Sequence, residues 1–148
     1  MQTTIVLAIL LAVAPEAPAA APTAVDSAGI HQTALDYIEG YYAGDGERME
    51  RALHAELAKR IVRTDPQGRN QLGQMSALTL VQATRAGGGK QTPVAEQRKD
   101  IAIFDIYRNA ASARIDASGW VDYLHLAKWN GRWVIVNVLW ELHPQKTP

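Results

Sequence analysis

The chain contains no cysteine. That absence excludes a disulfide framework and a lipid-modified cysteine anchor, so the folded protein is held by its core alone. It also lacks an excess of either charge: 15 Lys and Arg meet 15 Asp and Glu, for a formal net charge of zero at pH 7. With no basic surplus and no long run of like charge, neither nucleic acid nor an anionic membrane has a general electrostatic hold on it. No His, Asp or Glu pair falls at a metal-ligand spacing, so no metal site is expected. No cofactor motif is present either. Gly87-Gly88-Gly89-Lys90 is a linker and not a phosphate loop, because Gln91 follows the lysine and no buried strand precedes it. Internal repeats are absent. Tryptophan is missing from the first 119 positions; the four that exist run from Trp120 to Trp140.

What is there begins with an apolar run. Ile5 to Ala14 is ten residues long, too short to cross a bilayer as a helix, and Ala17 and Ala19 supply a small-x-small cleavage pattern. We expect residues 1–19 to be an export signal, although no Lys or Arg precedes the apolar run. A cut after Ala21 would place Pro22 next to the scissile bond, so cleavage after Ala19 is preferred. The expected destination is periplasmic or secreted, with no membrane attachment once the signal is gone. Residues 20–27 read as a linker, 28–143 as one domain and 144–148 as a tail, and 148 residues are enough for a single domain with a real core.

Within that domain, Ile30, Ala34, Tyr37, Ile38 and Tyr41 form one apolar stripe at helical spacing, with Asp26 or Ser27 as the expected cap and Gly44 as the stop. Gly40 inside this helix is unfavourable by about 1 kcal/mol relative to Ala, which points to a close packing contact. Asp45 or Gly46 opens a second, short helix with Met49, Ala52 and Leu53 inward. Leu57 to Thr64 is expected as a strand, Asp65-Pro66 as a turn, Gln67 to Gln74 as a polar loop, and Ser76 to Arg85 as a third helix with Met75, Leu78 and Val81 on one side. From Gln97 on, four antiparallel strands are expected in a meander. Helices gathered on one face of a curved antiparallel sheet make an α+β domain.

The last ribbon is the most legible part. Asn130-Gly131 suits a type I′ hairpin turn, whose two central residues need φ > 0. An uninterrupted ladder from that turn sets Leu124 opposite Asn137, Asp122 opposite Leu139, and Trp120 opposite Glu141. Ser118-Gly119, taken as a second two-residue turn, sets Ile115 opposite Asp122, and the preceding hairpin sets Asp105 opposite Arg114. One face then carries Phe104, Ile106, Ala113, Ile115, Trp120, Asp122, Leu124, Asn137, Leu139 and Glu141, and is expected against the helices. The other carries Asp105, Arg114, Tyr107, Tyr123, His125 and Trp140 among valines, a mixture typical of a subunit interface. A homodimer through this sheet face is the expected assembly.

Asp122 is the residue of most interest. Facing the helices, its charge must be paired, hydrated or neutralised. Lys59 and Arg63 share a side of the first strand with Leu57 and Ile61, so one of them is placed to reach inward to Asp122 or to an anionic ligand. His54, at the end of the second helix, is a candidate acid or base at a pocket rim.

This arrangement resembles the nuclear-transport-factor-2-like superfamily, the cone-shaped α+β fold shared with ketosteroid isomerases. The residues that carry the likeness are Tyr37 to Asp45, the Leu53-His54 step into the first strand, Val121 to Leu126, and Gly131 to Val136. Within the superfamily the chain is most similar to the group called "putative lumazine-binding" proteins. The resemblance implies three helices on the concave face of the sheet (cystatin-like) and a cavity between the two layers. In the isomerases a helix tyrosine and a neutral acid form an oxyanion hole; Tyr37 and Asp122 stand at the matching places. The isomerase general base falls near Ile61, which cannot accept a proton.

The leading expectation is therefore an exported domain that binds a small apolar or aromatic ligand, with Tyr37, His54, Trp120, Asp122 and Asn137 around it. An isomerase- or hydratase-like enzyme using Tyr37 and Asp122, with His54 as substitute base, is the first alternative. A structural or interaction module with a filled core is the second.

Overall fold

The computed structural model describes residues 23–144. The expected export signal, the start of the linker and residues 145–148 lie outside the described residues. Three helices and six strands follow the order α1 (Ala24–Ala43), α2 (Gly46–Ala52), β1 (Leu53–Thr64), β2 (Asn70–Ser76), α3 (Ala77–Arg85), β3 (Lys99–Tyr107), β4 (Ala110–Ala117), β5 (Trp120–Trp129) and β6 (Arg132–Leu142). A single 3₁₀ turn, Val94–Glu96, precedes β3. Among the described residues no helix is long and apolar enough to cross a membrane.

The helices form where the stripes require, with adjusted ends. Thr23 rather than Asp26 or Ser27 caps α1, because Thr23 and Asp26 build a reciprocal capping box. Gly44, at φ 69°, stops it. Gly40 does sit at a close approach: an added Cβ would lie 3.0 Å from the Met49 backbone nitrogen, at the crossing with α2. The third helix buries Ala77, Leu80, Val81 and Thr84, whereas Leu78 is 64% exposed. Of the expected stripe Val81 is buried and Met75 packs against the core from β2, and only Leu78 faces out.

The sheet order is β2-β1-β6-β5-β4-β3. It is a mixed sheet, because β1 and β6 run parallel while the other neighbours are antiparallel. The polar segment read as a loop forms most of β2, a strand at the sheet edge that pairs Asn70–Ser76 against Ala58–Thr64. Its side chains are mostly exposed, so hydrophobic alternation carries little signal there.

The Asn130-Gly131 turn forms as expected, with φ of 49° and 80°, and pairs Trp129 with Arg132. The ladder does not stay in register. It shifts between Leu126, opposite Ile135, and His125, opposite Asn137, leaving Val136 as the extra residue of a bulge. Every later residue of β6 is thereby turned over. Val138 now faces Leu124 and Trp140 faces Asp122, while Asn137 and Leu139 pass to the outer face. A second irregularity between Ile103 and Asp105 sets Asp105 against Ser112 and Ala102 against Arg114, so the expected Asp105–Arg114 pair does not form. Phe104 is consequently exposed by 56% and is not part of the core. The β4–β5 register is the expected one, with Ile115 opposite Asp122.

The core lies between α1, α3 and the inner sheet face, and includes Ile30, Ile38, Leu80, Ile115, Leu124 and Val138. The glycine-rich linker is part of this packing. An added Cβ at Gly89 would lie 2.3 Å from the Tyr41 carbonyl oxygen, a backbone atom with no freedom to withdraw. Gly89→Ala should thus lower stability by about 1–3 kcal/mol, the usual effect of overpacking. Gly119→Ala, where nothing lies within 4 Å of the added carbon, should be near neutral. Urea unfolding of both variants checks this, and equal midpoints would contradict the packed turn.

Candidate functional site

Asp122 sits mid-sheet on β5 with 0% exposure, beneath α1. A buried carboxylate needs donors on both oxygens, and three different elements supply them. From α1, the Tyr37 hydroxyl donates to Oδ2 at 3.2 Å. From the same strand, the Trp120 indole Nε1 donates to Oδ2 at 2.7 Å. From β1, the Lys59 ammonium donates to Oδ1 in a buried ion pair. Lys59 also donates to the Tyr37 hydroxyl oxygen at 2.7 Å, closing a ring of interactions among Lys59, Tyr37 and Asp122. Of the two basic residues placed to reach inward, it is Lys59 that does so, with 6% exposure; Arg63 is exposed.

The electrostatics follow from this enclosure. Burial pushes the Tyr37 phenol well above its ordinary value, and the adjacent Asp122 charge pushes it further the same way. Burial also raises Tyr41, again with Asp122 adding to the effect. For Lys59, burial lowers the ammonium below its ordinary value, against an opposing pull from Asp122. The aromatic setting partly compensates: Lys59 Nζ lies 4.9 Å from the Trp140 ring centre and 5.4 Å from that of Tyr37.

Above this cluster, between α1, α3 and the sheet, is a cavity of about 120 Å³. Tyr37, Tyr41, Trp120 and Trp140 wall it, Met75, Leu80 and Ala83 complete its apolar lining, and Lys59 contributes the charged group. Tyr41 packs edge-on against Trp120, with centres 5.6 Å apart, which fixes both rings. The Trp140 indole nitrogen is buried and has no hydrogen-bond partner among the described residues.

Of the residues expected at a ligand site, the fold brings together Tyr37, Trp120 and Asp122. His54 and Asn137 are elsewhere. His54 is the second residue of β1, not the end of a helix. Its ring stands edge-on to Trp129 at 4.8 Å and lines a separate open groove of about 440 Å³ with Leu53, Val81 and Arg132. Asn137 was turned outward by the β6 bulge, where it accepts a bond from Arg60 at 3.0 Å and meets His125. The same bulge explains why Trp140 was read on the outer face. Only a residue count through β6 could have revealed it, and nothing in the local sequence marks the extra residue. Among the described residues no group of three or more His, Cys, Asp or Glu is arranged to hold a metal ion.

The geometry also limits the chemistry. Lys59, Tyr37 and Trp120 all donate to Asp122, so its oxygens act as acceptors. An oxyanion hole built from Tyr37 and a neutral acid would need both to donate outward, and here the Tyr37 proton is engaged by Asp122. Asp122→Asn should therefore destabilise the protein by about 3–5 kcal/mol, by leaving the Lys59 charge buried without its partner. Lys59→Met combined with Asp122→Leu should recover that loss, because an apolar pair requires no counter-charge. Urea unfolding reads both; a single-variant loss under about 1 kcal/mol, the scale of a solvated surface pair, would contradict the buried pairing.

The likenesses to known proteins agree with this architecture. No curated protein matches the chain by sequence. Among solved structures, an NTF2-like protein of unknown function from Shewanella baltica OS155 is 26% identical, with a TM-score of 0.66, over 84% of this chain and 100% of that one. An NTF2-like protein of unknown function from Methylobacillus flagellatus KT is 23% identical, with a TM-score of 0.65, over 83% and 96%. A protein of unknown function with a cystatin-like fold from Nostoc punctiforme PCC 73102 is 17% identical, with a TM-score of 0.58, over 83% and 95%. The family model described as "Putative lumazine-binding" matches residues 25–141, from the first turn of α1 almost to the end of β6, and the chain belongs to this family of the NTF2-like superfamily.

Proposed function

We propose that this domain binds a small, flat, largely apolar ligand, about one aromatic ring in size, in the cavity between α1, α3 and the sheet. The observation that carries the proposal is a hollow walled by four aromatic side chains over a polar cluster whose charges cancel internally. Apolar pockets with few convergent polar groups are the usual form of small-molecule sites. The volume of about 120 Å³ is on the scale of the roughly 150 Å³ apolar cavity that admits benzene. The family description supports a small-molecule ligand in general terms. An isomerase-like reaction through Tyr37, Asp122 and His54 has less support, because His54 lines a different groove. A filled-core module has less support because the cavity exists.

Trp120 and Trp140 line the site, so a ligand should change tryptophan emission. Titration with a panel of single-ring compounds should give a saturable change for some members. Ala83→Leu, which fills the hollow from α3, should abolish it while the protein stays folded. No saturable change with any member would overturn the proposal.

We also propose that the outer sheet face joins two copies of the chain. Tyr107, Tyr123 and Leu139 are exposed there, and the buried Arg114 Nε has no partner among the described residues. Export through residues 1–19 is the third part of the proposal. Protein expressed with its own leader should begin at Ala20 by intact mass and scatter light as a dimer, and Tyr123→Glu should return it to monomer. An uncut amino terminus would remove the export reading, and a strict monomer would remove the dimer.

A further inference from the structure

Lys59 is the one buried lysine among the described residues; Lys90, Lys99 and Lys128 are exposed. Its amino group is used by nothing in the binding proposal except as a charge. Yet it lines the cavity, touches the Asp122 carboxylate, and lies 2.7 Å from the Tyr37 hydroxyl. A desolvated lysine beside a proton acceptor is a nucleophile toward carbonyl carbon. Burial also lowers the ammonium below its ordinary value, which favours the free amine.

We propose that Lys59 captures small aromatic aldehydes as a reversible Schiff base, an inference that rests on the cavity being a ligand site. The ammonium first passes one proton to Asp122. The amine nitrogen then forms a bond to the aldehyde carbon, and the carbonyl π pair moves onto oxygen. A proton moves from that nitrogen to the oxygen to give a neutral carbinolamine. Asp122 returns its proton as the C–O bond breaks, water leaves, and the nitrogen lone pair forms C=N. The product is a protonated imine beside a carboxylate, so the charges of the starting pair are preserved and no oxidant or reductant is consumed. The aromatic walls that face the ammonium at 4.9 and 5.4 Å face the iminium equally well. Tyr37, hydrogen-bonded to both partners, is placed to relay protons between them.

The test uses the full chain, benzaldehyde as probe, and sodium borohydride to reduce any imine to a stable secondary amine. Intact mass should show a single benzyl adduct, and peptide mapping should place it on Lys59. Lys59→Arg keeps a cation for Asp122 but cannot form the imine, and should lose the adduct; a circular dichroism spectrum confirms that the variant is folded. Should it not fold, peptide mapping of the unaltered protein still decides the site. Adducts spread over Lys90, Lys99 and Lys128, with Lys59 no more modified than they are, would overturn the inference. Saturable quenching by benzaldehyde with no trapped adduct would also overturn it, while leaving the binding proposal intact. Absence of both quenching and adduct with benzaldehyde would overturn the inference, and the binding proposal would fall with it only if every other member of the single-ring panel also failed.

Discussion

The buried pair of Lys59 and Asp122 is the interaction around which the two layers are fitted. An isolated carboxylate or ammonium at this depth would be several kcal/mol unfavourable. Each is tolerated because the other is present and because Tyr37 and Trp120 complete the donor set. The cluster ties β1 to β5, which are not neighbours in the sheet, and ties both to α1. Replacing it with aliphatic side chains would serve stability at least as well. A charged pair retained at the base of a hollow is thus more readily understood through what it does to the contents of that hollow.

The aromatic lining works with the same economy of position. Tyr37 and Tyr41 stand one helical turn apart on α1, Trp120 opens β5, and Trp140 lies two residues before the end of β6. They arrive from distant parts of the chain and meet because the start of β5 and the last residues of β6 pair side by side, with Tyr41 of α1 packed on Trp120. The isomerase comparison is instructive for its difference. The tyrosine and the aspartate occupy the expected layer, but each is already engaged by the other and by a lysine. The resulting polar floor is self-contained, unlike a pair of donors waiting for an oxyanion.

Much of this was legible in advance, and the reasons are particular. Asn130-Gly131 announces its turn because few other dipeptides accept two positive φ angles. Tyr37 announces its face through helical spacing, and Lys59 through strand alternation with Leu57 and Ile61. Other features left little trace. Strand β2 lies at an edge with most of its side chains exposed and Met75 turned to the cavity, so it has little hydrophobic pattern to read. The β3 irregularity near Phe104 and the β6 bulge at Val136 alter the face of side chains without altering their chemistry. Asn137 was assigned to the cavity and Trp140 to the exterior for this reason alone. His54 was misplaced because β1 begins at Leu53, directly after α2, rather than at Leu57.

The surplus residue at Val136 has a wider meaning. A ladder with one unpaired position makes the walls of the hollow depend on whether that position is kept out of the pairing. Were Val136 taken into the ladder opposite His125, Leu139 would stand beside Asp122 and the indole of Trp140 would look out to water, with helices, turns and strand order all unchanged. A slip of one residue would in this way exchange an aromatic wall for an aliphatic one on an otherwise constant scaffold, so the bulge selects the surface that the hollow presents.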